Sequence, residues 1–343
     1  MKQLLDVLRD GYDGQKDRTG VAEALTDNEI ACARANKISG LVARWIRPGE
    51  LSEQARAGLL LDQQRASLSN AHLLHYIHLA SAALETVGIE YFFYKGPVQQ
   101  KLLYGDFYAK QSADADLMVQ PHDFDRARLA LAAAGFKLAP KCDGPWWRYF
   151  LGEQHLFYGA QKGHSLDLHY KLQQPGCPAP ARIERFFDFL TYVDLGATAV
   201  PTLSPIGVAL IAAMNFVKAM HHREPAGSYA IDLMTTLSAM TEADLSDLRA
   251  EAKKQKLTKT MAVASRAISI AFDAPDRLTR GAVTLPAHEK HIAGLVLHPA
   301  SVPEKTLKRT YLLFCLCDDL GQFVYEGTRW AVSEACRIFL QNE

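Results

Sequence analysis

The sequence predicts an α+β fold: a small mixed sheet with its own helices in the middle of the chain, flanked by N-terminal and C-terminal helical regions. Three observations predict it. Apolar residues recur at helical spacing over residues 1 to about 80 and again from Pro205 onward. Segments that alternate with a period of two are confined to residues 83 to about 200. With 343 residues, 48% of them hydrophobic, the chain is long enough for two or three compact units. The regions so predicted are 1–82, 83–200 and 201–343, and no internal repeat or low-complexity tract crosses them.

The elements follow in order. Leu4, Leu5 and Leu8 open a helical start, Arg47-Pro48-Gly49 marks a turn, and few breakers interrupt a long helix from about Ser52 to Val87. His72, His75 and His78 lie on that helix with no carboxylate or cysteine beside them to complete a metal set. Aromatic and β-branched residues from Gly88 to Tyr94 predict a buried strand, followed by Lys95-Gly96-Pro97 and a helix from Val98 to Tyr104. Pro97 suits the first helical turn, where its missing N–H costs nothing. A helix bounded by Pro121 and Gly135 should cover one sheet face. Gln154 to Tyr158 and His164 to Leu172, joined through Gly159 to Gly163, predict a hairpin. The last region returns to helices: Ile206 to His222, Tyr229 to Met240, Glu242 to Lys256, and two near 304 to 340, with a basic cluster on a helix near 243 to 271. Pro225, Gly227, Pro286 and Pro299 separate them.

The chemistry concentrates in the middle region. Asp114 and Asp116 stand one residue apart at the head of an apolar strand, so both point to one face while Ala115, Leu117 and Val119 point to the other. A paired carboxylate of this kind suits a divalent cation, because buried like charges repel unless a cation or a shared proton compensates them. The second hairpin strand alternates strictly, with Leu166, Leu168, Tyr170 and Leu172 on one face and Asp167, His169 and Lys171 in a charged outer row. If this strand lies beside the first, Asp167 completes a three-carboxylate cluster able to hold two Mg²⁺ ions. Lys95 beside a glycine at a helix N-terminus forms an anion site, with phosphate the natural anion.

In order, spacing and residue type, Lys95-Gly96, the strand from Lys110 to Val119, Leu131 to Phe136, and Leu166 to Tyr170 preceded by His155 resemble the uncharacterised bacterial nucleotidyltransferase family of the polymerase-β-like superfamily. The resemblance covers roughly residues 80 to 175. Lys110 stands where the family has arginine, Ala115 where it has isoleucine and Tyr170 where it has tryptophan. The resemblance implies a metal-dependent transfer of NMP from an NTP, with ATP the expected donor, to a hydroxyl or phosphate acceptor such as a peptide natural product or small molecule. Asp114, Asp116 and Asp167 would be the catalytic Mg²⁺ or Mn²⁺ ligands. Lys95, Gly96, Lys110, Ser112 and His169 would contact the nucleotide, His169 alternatively orienting a metal ligand with His155 as its partner. Lys218 or His222, from the C-terminal helices, would reach the triphosphate, unless they only offset a helix C-terminal dipole. Asp232 resembles a family aspartate of similar context, and a salt bridge explains it as well.

Composition sets limits on the alternatives. With 38 basic and 38 acidic residues, the chain is not built to grip nucleic acid over a broad surface. Lys253, Lys254, Lys256 and Lys259 read as a solvated helix face. Asp6, Arg9 and Asp10 interrupt any N-terminal signal, and the apolar run Val208 to Val217 is too short to span a bilayer, so a cytoplasmic protein without membrane contact is expected. The six cysteines, including Cys315 and Cys317, show no zinc or redox spacing. A DxD glycosyltransferase would carry a nucleotide-binding half ahead of Asp114, where this chain is helical. No G-x-x-x-x-G-K-[ST] supports a kinase-like phosphotransferase. A binding module on the same core would have no need of all three carboxylates.

Overall fold

The computed structural model describes residues 2–12, 25–46, 51–159, 163–196, 198–279, 296–297 and 306–340. The turn at Arg47-Pro48-Gly49, hairpin-loop residues 160–162, Pro286 and Pro299 lie outside them. Two compact units divide the chain, and they cut across the three chain-order regions. One comprises Met1–Ser67, Tyr108–Gln111 and Ala209–Asp318, the other Leu68–Phe107, Ser112–Val208 and Asp319–Glu343.

The second unit holds the sheet. Its strands are β1 (Tyr91–Phe93), β2 (Asp114–Val119), β3 (Phe136–Leu138), β4 (Glu153–Tyr158), β5 (Ser165–His169), β6 (Leu190–Asp194) and β7 (Ala199–Leu203), in the order β3-β4-β5-β2-β1-β7-β6. The sheet is mixed: β2 runs parallel to β5 and antiparallel to β1, and β4 is antiparallel to β5. Period-two alternation sends Ala115, Leu117, Val119, Leu166 and Leu168 to one face. There they form a core with Leu73, Ile77, Ala80 and Leu84 of the long helix Glu53–Thr86 and with Phe124, Ala127 and Leu131 of the helix Phe124–Ala133. The opposite face receives the carboxylates. The Asp167 row is therefore not a solvated outer face: Asp167 and His169 are buried. The strand also stops at His169, short of Leu172.

Asn70 on the long helix fixes where β2 begins. Its side chain accepts from the Ser112 amide at 3.0 Å and donates to the Phe107 carbonyl at 2.6 Å. The Ser112 hydroxyl accepts from Gln100 at 2.9 Å, and its carbonyl accepts from Ser69.

The first unit is helical. It contains α1 (Lys2–Tyr12), α2 (Asp27–Ala35), α3 (Ser39–Trp45), the start of α4 (Glu53–Thr86), and, after α5 (Gly96–Tyr104) and α6 (Phe124–Ala133) of the other unit, most of α7 (Pro205–His222). It continues with α8 (Gly227–Ala239), α9 (Glu242–Lys254), α10 (Thr258–Phe272) and α11 (Thr306–Leu316). The basic stretch 243–271 is thus two helices. Lys256 adopts a left-handed conformation (φ 55°), and the Leu257 amide donates back to the Ala252 carbonyl at 2.8 Å, a helix ending made without the usual glycine. None of the six cysteines, all among the described residues, is joined in a disulfide.

Segment Tyr108–Gln111 is tied into this unit by Lys110, which is buried and bridges Asp232 at 2.5 Å and the Ser228 hydroxyl at 2.9 Å. Removing one member of a buried pair strands the other charge. Lys110→Met should therefore cost about 3–5 kcal/mol in urea unfolding, and Lys110→Met/Asp232→Leu should recover most of it. Equal losses in the single and double variants would show that the pair is not what the segment depends on.

Candidate active site

Sheet register assembles the site. In the parallel β2–β5 pair, Asp116 lies directly opposite Asp167 and Asp114 opposite Ser165. In the antiparallel β4–β5 pair, His155 lies opposite Asp167 and Glu153 opposite His169. Residues opposite one another share a face, so Asp114, Asp116, Glu153, His155, Asp167 and His169 form one polar surface. Glu153 was not among the candidates from sequence. Its signal was there, since stepping back two residues from His155 stays on the same face.

Basic side chains knit this surface together. The Lys95 ammonium lies 3.0 Å from Asp116 Oδ1, and His169 Nε2 lies 3.2 Å from the same oxygen. His155 Nε2 lies 2.5 Å from Glu153 Oε1 and 3.6 Å from Asp167 Oδ2, and His169 Nδ1 is 3.8 Å from Glu153 Oε2. The two histidines therefore meet through Glu153 and are not each other's direct partners. Above them, the Tyr94 ring packs edge-on to His169 at 5.5 Å, and the Trp147 ring does the same to His155 at 5.0 Å.

The carboxylates carry unequal charge. Burial alone would raise the pKa of Asp116, but Lys95 and His169 override it and hold the group well below the usual carboxylate range. Burial opposes Glu153 in the same way, and His169 and His155 bring it down to about 2. Asp167 goes the other way. Burial, reinforced by Asp116 and Asp114 against the pull of His155, raises it to about 7. Adjacent buried carboxylates cannot all ionise at the usual pH, and the site keeps its proton on Asp167. Tyr94, fully enclosed and facing the same carboxylates, is pushed well above its ordinary value.

Two buried oxygens, Asp116 Oδ2 and Asp167 Oδ1, have no hydrogen-bond partner among the described residues. Carboxylate oxygens left without donors fit a cation, and oxygen-rich donors suit Mg²⁺ or Mn²⁺. Among the described residues, the ligand atoms that converge within 4.8 Å of one another are those of Glu153, Asp167 and His169. Asp114 is half-buried at the head of β2.

The strand-to-helix turn lies alongside. Lys95 caps α5 in extended conformation, and Gly96 follows at φ 70°. A Cβ on Gly96 would meet the Asp114 carbonyl oxygen at 3.1 Å and the Ser112 hydroxyl at 4.0 Å, so close approach and positive φ both require glycine. Of the remaining sequence candidates, Lys110 is committed to Asp232, while Lys218 and His222 lie on α7 in the other unit.

The sequence matches the uncharacterised nucleotidyltransferase family over residues 23–272 of 343. The chain belongs to that family. No curated relative matches this nucleotidyltransferase. Among the solved structures similar to it are these two. One is the antibiotic-resistance factor ANT(2'')-Ia, 14% identical, covering 56% of this chain and 92% of that one at a TM-score of 0.34. The other is an antigenic nucleotidyltransferase-like protein from Paracoccidioides brasiliensis, also 14% identical, covering 57% and 91% at a TM-score of 0.33.

The nucleotidyltransferase's pH response follows from Asp167. This carboxyl keeps its proton to about pH 7 in the fold and would lose it near 3.8 in the unfolded chain. Between those limits folding takes up a proton, so rising pH removes stability from the metal-free protein. Asparagine cannot ionise. Asp167→Asn should therefore raise the metal-free melting temperature by an increment that grows across that window and is flat above it. An increment independent of pH would show that the carboxyl is not strained.

Proposed function

We propose that this nucleotidyltransferase moves the nucleoside monophosphate of an NTP, ATP the expected donor, to a hydroxyl or phosphate of a small molecule or peptide. The acceptor oxygen attacks the α-phosphorus, the bond to the β-phosphate breaks, and pyrophosphate leaves with the electron pair while the acceptor's proton is released. One observation carries this reading. Two buried carboxylates stand side by side, each with an oxygen that no donor among the described residues satisfies, and Lys95 and Gly96 begin a helix next to them.

Asp114, Asp116 and Asp167 would hold Mg²⁺ or Mn²⁺, with Glu153 and His169 in reach of the same position. The ion would supply Lewis-acid stabilisation of charge developing on the phosphate and on the attacking oxygen. The chain's own groups do the rest. Lys95, 27% exposed at its side chain, presents an ammonium for the donor's phosphates, and the Gly96 amide points from a helix N-terminus, where anions are favoured. Ser112 is held beside Gly96 by Asn70 and Gln100, so the turn is positioned before the donor arrives. His155 and His169 keep Glu153 ionised and orient Asp167 and Asp116. Catalysis then rests on positioning and preorganised charge.

Label decides the reaction class. With α-labelled NTP, label should move to the acceptor and unlabelled pyrophosphate should appear; transfer of γ-label, or of none, contradicts nucleotidyl transfer. Asp116→Asn should lower turnover by more than the ~10–100-fold typical of groups that only orient a ligand. Gly96→Ala should raise KM for the NTP more than it lowers kcat, because the strain of a positive φ and the methyl against the Asp114 carbonyl fall first on the phosphate turn. A Gly96→Ala enzyme with unchanged KM would place the donor phosphates elsewhere.

A further inference from the structure

The last helix, α12 (Leu320–Leu340), presents its faces in reverse of the usual amphipathic arrangement. Its inward side is polar. Glu326, only 1% exposed, accepts from the Ala179 amide at 3.4 Å and pairs with Arg329 at 2.8 Å. Ser333 takes the indole N–H of Trp146 at 3.0 Å, and Gln322 is buried beside them on the same side. The outward side is apolar. Val324, Thr328, Ala331, Ala335 and Ile338 recur at i, i+4, i+7, i+11 and i+14, flanked by Tyr325, Val332 and Phe339, and all are exposed. Phe339 is 77% exposed, Leu320 66% and Tyr325 61%. The stripe carries no charged side chain, so it offers nothing to a charged partner.

We propose that this face pairs with the same face of a second copy of the chain, the two helices running antiparallel about a two-fold axis at Ala331 and Val332. The stripe is self-complementary about that point. Reversing the helix sets Val324 against Phe339, Tyr325 against Ile338, and Thr328 against Ala335. Bulky pairs thus close both ends, while small residues at the centre let the axes approach, as an isologous contact requires. Area also selects a second copy. The exposed apolar side chains offer on the order of 700 Å² per chain, close to the ~800 Å² that each partner contributes to a standard interface.

Sedimentation of the full chain tests this. Wild type should be a dimer that dissociates on dilution, and Ala331→Glu and Ile338→Glu should each weaken association at least ~30-fold with unchanged far-UV circular dichroism. Leu68→Glu, at an exposed apolar position on α4, should leave the dimer intact. In a Cys315→Ser, Cys336→Ser background, oxidation should crosslink Ala331→Cys chains to one another and leave Val324→Cys chains uncrosslinked. A wild-type chain that is monomeric at every concentration overturns the proposal, whether the stripe is then covered by another part of the chain or adsorbs to lipid vesicles. So does a dimer indifferent to both glutamates, and equal crosslinking of the two cysteine variants overturns the antiparallel arrangement.

Discussion

Placing Asp116 directly opposite Asp167 in a parallel strand pair sets two buried carboxylates on one face of neighbouring strands, whose backbones run about 5 Å apart. Left alone, that contact would unfold or protonate the pair. The surrounding groups answer it: Lys95 and His169 reach Asp116, and His155 reaches Asp167. Register is what keeps them in place. A slip of one residue in β5 would turn Asp167 into the apolar core and bring Leu166 or Leu168 to the polar face.

The remainder of the second unit serves that register. Leucine and valine on the far face of β2 and β5 pack against α4 and α6, so neither strand can rotate without exposing core. Asn70 fixes the start of β2, and Gly96 allows the Lys95 turn to come within contact of the Asp114 carbonyl. Even so, compensation is incomplete, with one proton held on Asp167 and two carboxylate oxygens without donors among the described residues. We read this deficit of positive charge as room for a divalent ion, which is what gives the proposed nucleotidyl transfer its chemistry.

Much of this was legible in the sequence, for physical reasons. Period-two alternation in Asp114–Val119 and Leu166–His169 announced two strands with acids on one face, and Lys95-Gly96-Pro97 announced a strand-to-helix turn. Burial of the Asp167 row was not legible, because alternation with a charged face looks the same whether that face meets water or neighbouring side chains. Glu153 escaped because the hairpin was read from Gln154 onward, one residue late. Lys110 sits in a motif position that suggests nucleotide contact, and only the fold reveals Asp232, 122 residues away in sequence, as its partner.

The central claim is that the Asp116–Asp167 pair awaits a divalent cation. Calorimetric titration with Mn²⁺ alone, repeated in buffers of different ionisation enthalpy, measures protons displaced on binding. Because Asp167 holds a proton up to about pH 7, binding below that pH should release close to one proton, and the release should vanish as the pH rises above it. Mn²⁺ binding with no pH-dependent proton release, or no binding at all, would contradict the account.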